Sequence, residues 1–189
     1  MSLPELLLLA AALSMDTFAV AICIGLGLPR VNIRNMLVIG LYFAAFQAAM
    51  PVAGYLLAAQ FAHWGTSVSH WIAFVLLAFI GVRMIISSRK KEEPCREATA
   101  FSVSPRSMVP LALATSIDAL AVGVSFAFLA VDIVTAVMYI GIVTLIVAMA
   151  GVKIGQVAGV RFRAKAELAG GVILVLIGVR ILLEGLGVF

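Results

Sequence analysis

The chain has 189 residues, of which 64% are hydrophobic and 12% charged, with a formal net charge of +4 and a mean hydropathy of +1.20. Soluble domains run at about 45–50% apolar and about 25% charged residues, so a water-soluble enzyme or nucleic-acid-binding domain is excluded and an integral membrane protein is expected. The two cysteines, Cys23 in an apolar stretch and Cys95 in a charged one, lack metal-finger spacing, and their contrasting environments argue against a disulfide.

Helices that cross roughly 30 Å of hydrocarbon need about 20 apolar residues. Taken in chain order, such runs extend from Leu3 to Leu28, Met36 to Gln60, His70 to Ser88, Ser107 to Leu129, Ile133 to Ile154 and Glu167 to Val188. Segments of alternating hydrophobicity are missing, which argues against a β-barrel. The expected fold is therefore all-α, with six transmembrane helices. The opening residues Met1 to Glu5 lack the basic region of a secretory signal, and the first apolar run exceeds a signal core, so it is expected to remain as a span.

Basic residues place the loops. Arg30 and Arg34 follow the first span, Arg89, Lys90, Lys91, Arg96 and Arg106 follow the third, and Lys153, Arg161, Arg163 and Lys165 lie at or after the end of the fifth. The loops after spans two and four carry none. By the positive-inside rule the basic loops face the cytoplasm and both termini face outside. In the outer loop between spans two and three, His63 and His70 flank Trp64 and Trp71, tryptophans suited to a membrane interface.

The chain also repeats itself. Leu9 to Ile22, centred on Asp16, matches Leu111 to Val124, centred on Asp118, and Phe79 to Ile86 in span three matches Leu176 to Leu183 in span six. Gly40 and Gly54 align more weakly with Gly141 and Gly155. Residues 1–92 and 107–189 are thus read as two three-helix units joined by a cytoplasmic linker, 93–106. An odd number of spans turns the second unit upside down, the inverted-repeat plan of many secondary transporters.

An aspartate at the centre of a membrane helix costs about 2.5–3.5 kcal/mol on insertion scales, and such acids mark ion pathways. Small residues share the face of each: Ala12, Ala19 and Cys23 with Asp16, and Ala114, Ala121 and Ser125 with Asp118. Small faces permit close helix approach. Span one is therefore expected to pack on span four, with the two carboxylates facing each other and sharing a proton or a cation. Ser14 and Ser116, two residues ahead of the acids, could add oxygens, although serine in a helix commonly bonds the preceding turn, as expected for Thr115. Gln47, in the middle of span two, offers an amide oxygen, and its counterpart in span five is Ala148. Pro51 frees a carbonyl upstream and is expected to kink that span. Arg83 and Arg180 sit near helix ends, where snorkelling accounts for them and Arg180 stands one turn from Glu184.

Two carboxylates, an amide and hydroxyls make an oxygen-rich set suited to magnesium, calcium or manganese rather than to copper(I) or zinc. No phosphate-binding loop is present and no cytoplasmic segment could hold a nucleotide, so a gradient or the membrane potential must supply the energy, with protons as natural counter-ions. The stretches Ser14-Met15-Asp16-Thr17-Phe18-Ala19, Ala114 to Val124 and His70 to Ile86 resemble hallmark segments of the bacterial MntP-type manganese efflux pump family. The resemblance covers all six spans. It implies a secondary exporter of Mn(II) in the bacterial inner membrane, not an enzyme, with Asp16 and Asp118 matching the family's functional acids and manganese as cargo rather than cofactor. Where some relatives carry glutamate this chain has Gln47, one charge fewer. The expected metal set is Asp16, Asp118, Gln47, Ser14 and Ser116, with the lipid bilayer as surroundings and no nucleic-acid partner; monomer and dimer are both open. Rival readings are an exporter of another divalent cation or of a small amino acid on a six-helix plan, an intramembrane aspartyl protease, whose Gly-containing aspartate motif is missing, and a structural membrane subunit.

Overall fold

The computed structural model describes residues 3–28, 30–59, 66–89, 103–129, 131–158 and 163–186. His63, Trp64, Cys95 and most of the 93–106 linker lie outside them, as do the side chains of His70 and Glu184. The described residues form seven α-helices: α1 (Leu3–Gly27), α2 (Ile33–Ala59), α3 (Thr66–Arg89), α4 (Pro105–Thr115), α5 (Ile117–Phe128), α6 (Ile133–Ala158) and α7 (Arg163–Gly185). Five of the six expected spans are single helices with ends close to those read from the sequence. Among them α1, α2 and α6 are long and apolar enough to cross a membrane, while the apolar parts of α3 and α7 are shorter, Phe74–Ile86 and Leu168–Leu183.

The span through Asp118 is the exception. It breaks between α4 and α5 with a bend of 44°, and the two pieces together qualify as a fourth crossing. The break falls at Ser116, whose ψ of 3° leaves the α-helical region, and its amide bonds Leu113 O rather than Ala112 O. The hydroxyls of Thr115 and Ser116 bond carbonyls of the preceding turn, including that of Ala112, which the break leaves without its helical amide. Pro51, by contrast, lies inside an unbroken α2. Helix α4 starts with Pro105 after extended Ser104, and at the start of α6 Asp132 accepts the amides of Val134 and Thr135. The Thr135 hydroxyl also bonds the Asp132 carboxylate and, ahead of these amides, holds its pKa below the ordinary aspartate value.

The helices pack with apolar residues outermost. Leu41, Leu56, Phe79, Val134 and Ile146 are among the large hydrophobic side chains left exposed, while the interior holds two apolar clusters separated by a polar layer. One cluster joins Leu9 and Leu13 of α1 to Leu77, Ile80, Val122, Phe126, Ile140 and Leu174. The other joins Ala21 and Ile24 of α1 to Ile39, Phe43, Met108, Ala112, Ala148 and Val152. Between them in sequence, on α1, α2, the α4–α5 pair with its break, and α6, stand the buried polar residues Ser14, Thr17, Gln47, Ser116, Asp118 and Thr144. A soluble protein has the reverse arrangement; a polar centre inside an apolar shell suits a bundle solvated by lipid.

Packing between helices is reciprocal. α1 packs chiefly on α6 and then α7, whereas the α4–α5 pair packs on α2 and α3; α2 packs on α6, and α3 on α7. Glycines allow the closest approaches: Gly25 and Gly155 join α1 to α6, Gly54 and Gly123 join α2 to α5, and Gly81 and Gly171 join α3 to α7. The α3–α7 contacts exchange under the sequence match, because Gly81 lies against Gly171 and its counterpart Gly178 approaches Phe74 O, the counterpart of Gly171.

These crossings correct one expectation. The small face of α1 is not spent on the other aspartate helix, since Ala12 and Met15 lie against Gly170 of α7 and Ala21 against Gly151 of α6. α1 touches α4 only marginally. The physical reason is that α1 enters glycine notches on α6 and α7, while the glycine notch of α5, Gly123, is filled by the backbone of α2. Cys23 also departs from expectation: it is buried and disulfide-bonded. It sits four residues from the helix end at Gly27, roughly one turn.

Candidate cation site

The polar layer is held by hydrogen bonds that cross between helices. On α1, the Ser14 hydroxyl donates to Ala10 O at 2.7 Å and lies 3.0 Å from Thr144 Oγ1 of α6. Because Ser14 has spent its proton within its own helix, Thr144 is the donor across the gap. Ser116 does the corresponding work at the α4–α5 break. Its hydroxyl is 2.7 Å from Ala112 O and 3.0 Å from Gln47 Oε1, one proton shared by two acceptors. Gln47 in turn donates Nε2 to Leu13 O of α1 at 3.2 Å. A single amide therefore ties α2 to α1 and to the broken helix, and both serines combine the back-bond expected of them with a cross-helix bond.

Asp118 is buried in the first turn of α5. One oxygen, Oδ1, accepts the Ala119 amide at 2.9 Å, which places the carboxylate at the positive end of the α5 dipole. The other, Oδ2, is buried without a hydrogen-bond partner in the protein. Asp16, on the unbroken α1, is half-buried. Although their helices hardly touch, Asp16 and Asp118 interact electrostatically, and the exposed Arg83 of α3 is the basic group that acts on Asp118. Arg180, the repeat counterpart of Arg83, is engaged differently: its guanidinium is 2.5 Å from the Glu5 carboxylate at the start of α1. Among the described residues no group of three or more His, Cys, Asp and Glu side chains could hold a metal, so a cation held here needs neutral oxygens beside the two carboxylates.

Sequence reasoning missed two members of this layer. Thr144 precedes Ala148, the counterpart of Gln47, by one turn, so the second repeat carries its polar partner on the same helix displaced by four positions. Allowing that displacement would have found it. Thr17 was passed over because it follows Asp16 directly and so points to a different side of the helix.

The family whose description reads "Putative manganese efflux pump" matches residues 30–182. Proteins with this description and the name MntP are 51% identical over 100% of this chain and 94% of their own length in Acetivibrio thermocellus, and 53% identical over 97% and 95% in Desulfitobacterium hafniense. A third, from Campylobacter jejuni, is 45% identical over 96% of both chains. The chain belongs to the MntP family. Its relatives are named as pumps, so this is a multi-pass membrane transporter and not an enzyme. No solved structure matches it.

Proposed function

We propose that this MntP-family chain exports Mn(II) from the cytoplasm, binding it in the polar layer between Asp16 and Asp118. The observation that carries the reading is the buried Asp118 carboxylate at a helix break, with Oδ2 unpartnered, Asp16 within electrostatic reach, and Ser116, two residues ahead of it, bonded to Gln47. Manganese(II) is a hard dication that favours octahedral oxygen coordination. The two carboxylates neutralise its charge, while Gln47 Oε1 and the Ser14 and Ser116 hydroxyls supply neutral oxygens. Broken helices are a common way for secondary transporters to expose such donors at mid-membrane depth.

Transport then needs alternating access. Residues 1–92 and 107–189 act as inverted three-helix repeats in a six-span bundle, an arrangement supported by the reciprocal packing of each repeat's first helix on the second and third helices of the other. Rocking of the repeats opens the layer first to the cytoplasm and then outward. With the metal released, the aspartates take up protons, so metal and proton compete for the same carboxylates and the proton gradient or membrane potential drives export. The protein resides in the bacterial inner membrane with both termini outside, as the basic loops require.

The test uses purified protein in proteoliposomes with an entrapped metal-sensitive dye, challenged with Mn, Mg, Ca, Cd and Zn and, separately, amino acids. Manganese flux that acidification of one side modulates is expected, and Asp16→Asn and Asp118→Asn should each abolish it while protein abundance is kept. Normal flux in either variant, or amino-acid flux without metal flux, would overturn the assignment.

A further inference from the structure

We infer that Thr17 is a further ligand of the transported cation, its hydroxyl oxygen completing the donor set around Asp118; this rests on the manganese-site reading above. Thr17 is fully buried, and its Oγ1 has no hydrogen-bond partner in the protein. That sets it apart from the other buried hydroxyls. Ser14, Thr115, Ser116 and Ser125 each donate to a carbonyl four residues back, the habit of serine and threonine in membrane helices, and Thr144 bonds Ser14. For Thr17 the corresponding acceptor is Leu13 O, and that oxygen already receives the Gln47 amide.

A buried polar group without a partner calls for an explanation, and an ion is one of the recognised ones. Only two described side-chain atoms that are not exposed are in this condition, Thr17 Oγ1 and Asp118 Oδ2, and the same amide flanks both. Gln47 is bonded on one side to Leu13, one helical turn before Thr17, and on the other to Ser116, two residues before Asp118. The amide's oxygen and the two orphaned oxygens thus belong to one layer, contributed by α2, α1 and α5. Coordination chemistry supplies the need. An octahedral dication takes about six oxygens; Asp118 Oδ1 already accepts the Ala119 amide, so with one oxygen from each carboxylate the two acids, Gln47 Oε1 and the Ser14 and Ser116 hydroxyls leave one position for Thr17 Oγ1, and no third acidic or imidazole group joins them among the described residues.

A structural hydroxyl and a ligating one make opposite predictions for stability. An unsatisfied buried hydroxyl destabilises the fold, so replacing it with a methyl group of the same shape is neutral or stabilising. Thr17→Val is therefore expected to keep or raise the thermal midpoint of the metal-free protein while raising the manganese concentration for half-maximal flux about tenfold. Thr17→Ser, which retains the oxygen, should return that concentration to within about threefold of the parent, a direct-ligand signature. Proteoliposome flux over a manganese series, with melting of the same preparations, reads both. A Thr17→Val protein with parental half-saturation, or one that unfolds while Thr17→Ser does not, would overturn the role. Asp118→Asn assayed alongside separates the failures: if it still transports, the site itself is misplaced, whereas if it is inactive and Thr17→Val is normal, only the threonine assignment falls.

Discussion

The α2–α5 crossing gives the sharpest test of how tightly this site is built. A Cβ placed on Gly123 would stand 2.5 Å from Pro51 Cα and 2.6 Å from its carbonyl carbon, and closer still to the carbonyl oxygen. Ordinary contact begins at 3.4 Å, so α5 and α2 must part by about 1 Å, and the obstacle is backbone that no rotamer change can relieve. The site sits directly along these two helices, with Gln47 one turn before Pro51 and Asp118 five residues before Gly123. Binding constellations tolerate only about 0.5 Å of displacement. Gly123→Ala is therefore expected to cost about 1–3 kcal/mol in stability through overpacking and to lower manganese flux about tenfold or more. Gly141→Ala is the matched control. A Cβ there would meet Ala48 Cβ at 3.6 Å and Ala44 O at 3.9 Å, both ordinary contacts, and the helix gains up to about 1 kcal/mol from the better helix former. Flux in proteoliposomes and thermal melting in detergent, measured on both variants, decide the matter. Parental flux and melting in Gly123→Ala, or equal damage in Gly141→Ala, would refute the argument that backbone contact at this crossing positions the site.

Two further outcomes follow from the hydrogen-bonded layer. Ser14→Ala and Thr144→Val should show a coupling of about 0.6 kcal/mol in a double-mutant cycle of thermal stability, the usual size of such bonds within membranes; strict additivity would mean that the two hydroxyls do not bond. Gln47→Leu removes the amide that links Leu13 and Ser116 and that is proposed to hold the cation, and is expected to reduce flux more than it reduces melting temperature, because Ser116 retains Ala112 O and only the carbonyl of Leu13 loses its extra partner. A variant that melts far lower yet transports normally would assign Gln47 to folding alone.

Much of this was legible in the linear chain. Apolar runs gave helix positions to within a few residues because the hydrocarbon thickness dictates length, and the mid-run placement of Asp16 and Asp118 marked them without any contact information. Ser14 and Ser116 were nominated by their place two residues ahead of the acids and Gln47 by its mid-span position, and all three are buried in the polar layer. The break at Ser116 was not legible. Proline is the expected breaker, yet Pro51 and Pro110 are accommodated inside helices, whereas the break falls beside hydroxyls able to satisfy carbonyls that a helix would otherwise bond. Thr17 escaped notice for a related reason: whether a threonine satisfies itself depends on whether its acceptor, here Leu13 O, has been claimed by a residue 34 positions away.

Depth in the membrane, amphipathic reversal and family membership are local or summed properties of the residues, and the sequence determined them alone. Which helix each small face receives is a competition among surfaces, with α1 taking the glycine notches of α6 and α7 while α2 takes that of α5, and only the tertiary structure decided it. For that reason the two acids act on each other electrostatically although their own helices hardly touch.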